Sequence, residues 1–294
     1  MRRIPLRPMR ETIARALEED RARRDITSDS ILPPAARIWA DLIARQPGML
    51  AGIDAAACAF RVHDPALRCR IIRRDGAALR AGHTLLTVTG RARSIFAAER
   101  TALNVLGHLS GIATLTHAYV RRIRGSRALI LDTRKTLPGL RDLEKYAVSV
   151  GGGVSHRRDL AAAILVKTNH LRAAYRVQRR AYRQVIHQAV TTARRKARGR
   201  FVEIEAATWR EFTATVEARP DAILLDNWRI PDIRRAVRFL NAIRATLNAK
   251  VLLEVSGGVT LANVRAIART GVDRISIGRL THSAPALDVS LRVR

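Results

Sequence analysis

Six short apolar runs in the second half of the chain each end abruptly in charge or glycine, and that repetition limits what the chain can fold into. Residues 128–131 lead into Asp132-Thr133-Arg134-Lys135, and residues 163–166 into Lys167-Thr168-Asn169-His170. Residues 201–204 end in Glu205, 222–225 in Asp226, 251–255 in Ser256-Gly257-Gly258, and 274–277 in Gly278. Each run has strand length and reads as a buried parallel strand. Helical spacing fills 139–150, 232–245 and 261–270, so 128–170 reads as a strand, helix, strand unit. The alternation implies a parallel α/β barrel, with a doubly wound open sheet as the alternative. In a barrel the C-terminal strand ends converge on one mouth, so the polar residues that close the runs form the candidate site.

The first part of the chain follows other periods. Residues 9–24 read as a surface helix with Ile13, Ala16 and Leu17 facing inward, stopped by a turn at Asp25-Ile26-Thr27-Ser28-Asp29. Residues 38–88 show short β-like runs punctuated by glycine, with a helical piece at 54–62, which indicates a small α+β domain. Residues 94–117 are strongly helical in their first half, and Glu99, Arg100 and Asn104 interrupt the apolar face. The expected division is an N-terminal α+β domain over 1–110 and a barrel over 111–294. The extreme C-terminus is a segment able to pack back on the N-terminal domain.

Composition matters where arginine is concerned. The net charge is +29, and lysine occurs only at 135, 145, 167, 196 and 250, leaving 54 − 5 = 49 arginines. In a chain that uses arginine by default, Lys135 and Lys167 at the ends of the first two strands suggest that a compact ammonium is needed there. The charge attracts polyanions without selecting among them and does not set a fold. Residues 172–200 hold ten cations and no acid, and Tyr175, Tyr182, Val185, Ile186, Ala189 and Ala193 give them the spacing of a barrel helix with a solvated basic face. Cys58 and Cys69 are too few for a disulfide framework and too far apart for a CxxC site, which fits a cytoplasmic protein with reduced thiols. The basic start lacks an apolar signal core, and no apolar run is long enough to span a bilayer. Paired glycines after the last two strands suit backbone binding of phosphate.

These signals coincide with ordered motifs: Asp25-Ile-Thr-Ser28, Leu50-Ala-Gly52, Asp75-Gly76, Glu99-Arg-Thr-Ala-Leu-Asn104, Leu109-Ser-Gly-Ile-Ala-Thr114 and Asp132-Thr-Arg-Lys-Thr136. Leu143-Glu-Lys-Tyr146, Gly151-Gly-Gly153 with His156-Arg157, Glu203-Ile-Glu205, Leu225-Asp-Asn227, Ser256-Gly-Gly258 and Ile277-Gly278 continue the series. Nearly the whole chain thereby resembles the quinolinate phosphoribosyltransferases of NAD biosynthesis. The resemblance implies a small α/β domain packed on an α/β barrel of the type II phosphoribosyltransferase kind, a homodimer with shared active sites, and Mg²⁺ brought with phosphoribosyl pyrophosphate. It implies that Arg134, His156 and Arg157 grip quinolinate, with Thr133 beside them and Arg100 reaching over from the partner subunit. By the same likeness Lys135 and Lys167 lie between the substrate carboxylate and pyrophosphate, and Glu205 and Asp226 hold the ribose hydroxyls and, indirectly, the magnesium. Ser256, Gly257, Gly258, Ile277, Gly278, Arg279 and His282 complete the substrate-binding set. Lys135, Lys167, Glu205 and Asp226 are the implied catalytic residues. Nucleic acid is expected to bind only nonspecifically, and a membrane not at all. Two positions depart from the family pattern, which has Asn before the His-Arg pair and Asp after the strand lysine, where this chain has Ser155 and Thr168. A paralogous enzyme for another aromatic acid therefore stays open, as does a basic RNA- or membrane-binding protein on a degenerate barrel.

Overall fold

The computed structural model describes residues 4–247 and 251–294, so Lys250 lies outside the described residues. In chain order the elements begin with α1 (Leu6–Glu19), α2 (Ile26–Ile31), β1 (Arg37–Ala44), β2 (Gly48–Met49), α3 (Ile53–His63), β3 (Arg68–Ile71), β4 (Ala78–Leu79), β5 (Thr84–Arg91) and α4 (Ala92–Arg122). There follow β6 (Leu129–Leu131), α5 (Arg141–Val150), β7 (Ile164–Val166), α6 (Thr168–Gln178), α7 (Tyr182–Ala197), β8 (Val202–Ala206) and α8 (Trp209–Ala218). The last are β9 (Ala222–Asp226), α9 (Ile230–Leu247), β10 (Leu252–Ser256), α10 (Val264–Ala268), β11 (Arg274–Ser276), α11 (Arg279–His282) and β12 (Val289–Val293). They form two compact units, one of Met1–Ala118, Lys135–Gly153 and Gly278–Arg294, the other of Tyr119–Arg134 and Val154–Ile277.

In the first unit, Met9, Ile13 and Leu17 recur every fourth residue and bury one stripe of α1. That helix ends at Glu19 rather than near residue 24. The turn expected at 25–29 is a helix start instead, because the Asp25 carboxylate accepts the N–H groups of Thr27 and Ser28, both at 3.1 Å, and caps α2. An antiparallel sheet runs in the order β12-β1-β5-β3, so the C-terminal strand pairs with the first strand of the chain. Asp75 caps α3 by accepting from Gly52 N at 2.8 Å and Ile53 N at 3.0 Å, and Tyr146 donates its hydroxyl to the same carboxylate at 2.7 Å. On α4, Ser110 bonds both backbone groups of Ala51, and Gly111 leaves no room for a side chain, since a Cβ there would fall on the Pro285 carbonyl.

The second unit is built on a parallel sheet in the order β6-β11-β10-β9-β8-β7. Each strand lies beside its sequence neighbour except that the first, β6, pairs with the last, β11. That is the order of strands wound one way round a barrel; a doubly wound sheet would reverse direction partway. Strands β6 and β7 are the two ends of the hydrogen-bonded order, and α5 belongs to the other unit, so 128–170 is not the simple adjacent unit its spacing suggests. At the sheet edge Leu129 is half exposed, and β6 is extended by a single bridge from Leu131 to Val154.

The sheet's two faces differ in kind, because alternate side chains point opposite ways. The register places Ile164, Val166, Val202, Ile204, Ile223 and Leu225 on one face. Leu171, Val185, Ile186, Val190, Ala193 and Ala197 of α6 and α7 pack there, so the basic segment is two helices with a buried apolar side and exposed arginines. The opposite face carries Glu203, Glu205, Asp226, Glu254, Ser256, Arg274 and Ser276.

Candidate active site

The polar face of the second unit separates into a deep set and an outer set, two residues apart along the strands. The deep set is Glu203, Glu254 and Arg274, and both glutamates are almost fully buried. His156 joins them from the segment between α5 and β7, with Nε2 at 3.0 Å from Glu203 Oε2 and 3.4 Å from Glu254 Oε1. Arg274 Nε lies 2.8 Å from Glu254 Oε2, and its guanidinium also stands over the Phe201 ring at 5.0 Å. His156, Glu203 and Glu254 have the side-chain types and spacing of a metal triad, but Arg274 already serves as the counter-cation of Glu254.

Protonation follows from this crowding. Burial opposes a charged imidazole, yet the hydrogen bonds and charges of Glu203 and Glu254 raise the His156 pKa to about 9. The Arg157 backbone N–H donates to Nδ1 at 2.7 Å and favours a lone pair there, but one backbone dipole is outweighed by two carboxylates. Burial, then the charge of Glu254, pushes Glu203 above the usual carboxylate range. Glu254 is held below that range, because the hydrogen bond and charge of His156 and the charge of Arg274 overcome the effect of burial.

The loop that carries His156 is fastened from a second side. Asp132, fully buried where β6 ends, accepts the His156 backbone N–H at 2.8 Å and the Ser155 hydroxyl at 3.1 Å. Serine thus fills the departure at 155 as a donor to Asp132. Arg157 donates to the Ala163 carbonyl at 3.2 Å, and its pKa is lowered first by burial and then by the neighbouring charge of Arg134. Two guanidinium groups close enough to repel form a place suited to an anion with forked oxygens. Thr133 is half-buried between Asp132 and Arg134.

The outer set lies at the C-terminal ends of the strands. Glu205 and Asp226 stand on the same face of neighbouring strands and are both partly exposed. Glu205 Oε1 accepts the Thr168 N–H at 3.1 Å, the first N–H of α6, which answers the second departure: threonine leaves this carboxylate at a helix N-terminus without an acidic neighbour at 168. Lys167 directly follows β7, at the N-cap of α6, with its side chain exposed. Ser256 follows two residues after Glu254, its hydroxyl 3.4 Å from the Ser276 carbonyl, and Ile277 N donates to Leu131 O at 2.9 Å. Gly257 and Gly258 both have positive φ, +84° and +61°. Gly258 is open, whereas a Cβ on Gly257 would collide with the Asn227 amide.

The first unit brings together Lys135, Gly278 and His282. A Cβ on Gly278 would come within 2.9 Å of Lys135 Cδ and 3.1 Å of His282 Nε2, and Thr281 donates its hydroxyl to the Lys135 carbonyl at 2.7 Å. Arg279 is exposed. Arg100 is also exposed, on α4, and lines a cavity of about 370 Å³ with Thr12, Asp20, Asn104, His108 and Leu143. In this cavity wall His108 Nε2 lies 2.9 Å from Glu144 Oε1, and the fully buried Glu144 also accepts Leu137 N. The Leu143-Glu-Lys-Tyr146 motif is therefore partly a set of structural anchors.

Glu203, Glu254 and Arg274 are not among the site candidates that the sequence marks, and Asp132 enters there only as one of the polar residues that close the first run. A signal existed in Val-Glu-Ile-Glu-Ala and Leu-Leu-Glu-Val-Ser, where a carboxylate interrupts an apolar strand at alternate positions.

Comparison with known proteins supplies an independent line. Residues 25–110 match the N-terminal domain of quinolinate phosphoribosyl transferase, and residues 112–292 match its C-terminal domain. The chain is 42% identical over 285 residues to the nicotinate-nucleotide pyrophosphorylase [carboxylating] of Mycobacterium leprae, covering 96% of each. It is 35% identical to quinolinate phosphoribosyltransferase [decarboxylating] 1 of Nicotiana glauca, over 98% of this chain and 83% of that protein. The nicotinate-nucleotide pyrophosphorylase structure from Francisella tularensis superposes with a TM-score of 0.89 at 36% identity, covering 99% of this chain and 98% of the other.

Proposed function

Because the chain belongs to the quinolinate phosphoribosyltransferase family, we propose that the strand-end residues act on the two polyanionic substrates of that reaction. The enzyme transfers the phosphoribosyl group from phosphoribosyl pyrophosphate to quinolinate with decarboxylation, giving nicotinate mononucleotide, pyrophosphate and CO₂ in NAD biosynthesis. The observation that carries the assignment of roles is the division of the polar sheet face. Its deep charges are closed among themselves, while cations and two partly exposed carboxylates line the strand ends.

In this reading Arg134 and Arg157 receive the quinolinate carboxylates, supported by their mutual repulsion, and His156 seats Arg157 through its backbone. Lys167 and Lys135 face the substrate carboxylate and the leaving pyrophosphate, and Thr133 adds a hydroxyl. Ser256, Gly257, Gly258, Ile277, Gly278, Arg279 and His282 are assigned to the 5′-phosphate and its surroundings. Gly258, with nothing near its Cβ direction, allows close backbone approach, whereas Gly278 makes room for Lys135 and His282.

Glu205 and Asp226 offer hard carboxylate oxygens on one face of adjacent strands, a donor set that fits Mg²⁺ arriving with the donor substrate. Bound there, Mg²⁺ supplies charge neutralisation at the pyrophosphate. Cleavage of the ribose C1–O bond leaves positive charge on the sugar, which Glu205 and Asp226 offset while Lys135 and Lys167 stabilise the departing pyrophosphate. The pyridine nitrogen attacks C1, and the resulting ring cation stabilises the carbanion left when the 2-carboxylate departs as CO₂; the ring carbon then takes up a proton, and a lysine ammonium nearby assists the loss of CO₂.

The reading further includes a homodimer in which Arg100 completes the partner's site, a cytoplasmic location, and only nonspecific contact with nucleic acid. Exposure of Arg100 beside a cavity supports the first; free Cys58 and Cys69, and no helix long and apolar enough to cross a membrane among the described residues, support the second. The exposed arginines of α6 and α7 with no acidic partner of their own element support the third. The test is CO₂ release that depends on quinolinate, phosphoribosyl pyrophosphate and Mg²⁺. A second arm mixes Arg100→Ala and Asp226→Ala subunits, each inactive alone; half the dimers are mixed with one intact site each, so about a quarter of wild-type activity returns. No release in the first arm overturns the substrate assignment, and an inactive mixture with verified exchange overturns the shared site.

A further inference from the structure

The residue after Asp226 is in a backbone conformation that its side chain must justify. Asn227 has φ +59°, in the left-handed region that glycine adopts at least cost and that asparagine tolerates better than most residues. Where only the turn mattered, glycine would serve. Here the amide is engaged: Nδ2 donates to Asp226 Oδ2 at 3.0 Å. The Asn227 backbone and the Trp228 side chain tie this turn to both neighbouring strands. Asn227 N donates to the Ser256 carbonyl at the end of β10, at 2.9 Å, and Trp228 Nε1 donates to the Ala206 carbonyl at the end of β8, at 2.9 Å. Trp228 is itself wedged against Phe212, with ring centroids 5.8 Å apart.

Gly257 completes the arrangement from the far side. A Cβ built there would sit 2.2 Å from Asn227 Oδ1, so the space left by the missing side chain is the space the Asn227 amide occupies. One glycine of the Ser256-Gly257-Gly258 turn therefore serves its neighbouring loop, and Gly258, with nothing near its Cβ direction, is the one open to a ligand.

We infer that Asn227 is a positioning residue for the phosphoribosyl donor: seated in the room left by Gly257, its amide fixes the rotation of the Asp226 carboxylate across the ends of β8, β9 and β10. The inference rests on the reading of Asp226 as a ligand of the donor and its magnesium. Asn227 itself is exposed, so replacing it leaves the core untouched.

Asn227→Gly separates the two roles the residue could have. Glycine keeps the left-handed turn, so the thermal midpoint stays level or rises, but the amide is gone. The expected result is a rise of about tenfold in KM for phosphoribosyl pyrophosphate, the scale of losing a hydrogen bond to a charged group, with a higher Mg²⁺ requirement and a KM for quinolinate within about twofold of wild type. Asn227→Asp keeps the shape, replaces the donor with a second carboxylate beside Asp226, and is expected to be worse than Asn227→Gly; it decides the matter where the glycine variant misfolds. Wild-type KM for phosphoribosyl pyrophosphate in both folded variants overturns the inference, as does an equal rise in both KM values. Asp226→Ala is run alongside: should it retain wild-type kinetics, the reading of Asp226 fails instead, and the two failures are told apart.

Discussion

The deep and outer sets on the polar face use the same residue types to opposite ends. Glu203 and Glu254 are buried among His156 and Arg274, and the charges are answered within 3.4 Å of one another. Glu205 and Asp226, on the same face, are partly exposed; Glu205 accepts a helix N–H and Asp226 a side-chain amide. Burying a carboxylate is tolerable only with its counter-charge in place, so the deep set is committed to holding the fold. A carboxylate left half open at a strand end stays accessible to a group that is not part of the chain. Burial, rather than residue type, separates the two sets.

The largest effect that could break this comparison is on turnover. Lys167→Ala should fold normally and lose at least about 100-fold in kcat, as expected when a cation that stabilises developing charge is removed. Steady-state kinetics beside a melting curve check it, and near-normal turnover in a folded variant would take Lys167 out of the site.

Next in size comes a contrast within the face. Glu254→Ala leaves Arg274 without its buried counter-charge and should destabilise the protein by about 3–5 kcal/mol, the range for removing one partner of a buried pair. Glu205→Ala should shift stability by no more than about 1 kcal/mol and abolish most activity instead. Urea unfolding of the two variants, read with their activities, sharpens the division; equal destabilisation would erase it.

The smallest expected effect is a pH dependence of stability. The folded-state pKa of His156, about 9, lies above its ordinary value, so its contribution is fully present below about pH 6.5 and is lost as pH rises through 9. The thermal midpoint of the wild type should fall between pH 7 and 10 more steeply than that of His156→Gln. Parallel curves for the two proteins would mean that the deep set does not hold a charged imidazole.

Legibility in the sequence followed the range of the interaction. The strand ends were readable because an apolar run that stops at a charge is a local pattern: Glu205, Asp226 and Ser256 each lie within β8, β9 or β10 at its last positions. Asp25 was misread as part of a turn, since a turn and a helix cap use the same residue types and only the two N–H contacts distinguish them. Leu109-Ser-Gly-Ile-Ala-Thr114 was readable as a family signature, but its work is packing: Ser110 holds Ala51, Thr114 accepts Met49 N, and Gly111 admits the Pro285 carbonyl. Nothing local to those six residues announces partners so far along the chain.

By itself the sequence determined the alternation of strand and helix, the chemistry placed at each strand end, and the family to which the chain belongs. Tertiary structure alone decided that β6 pairs with β11 rather than β7, that His156 meets Glu203 from 47 residues away, and that Gly257 makes room for Asn227. The reason is physical: periodicity and capping act over a few residues and are written in them, whereas strand order, charge closure and steric fit exist only once distant segments share a sheet face.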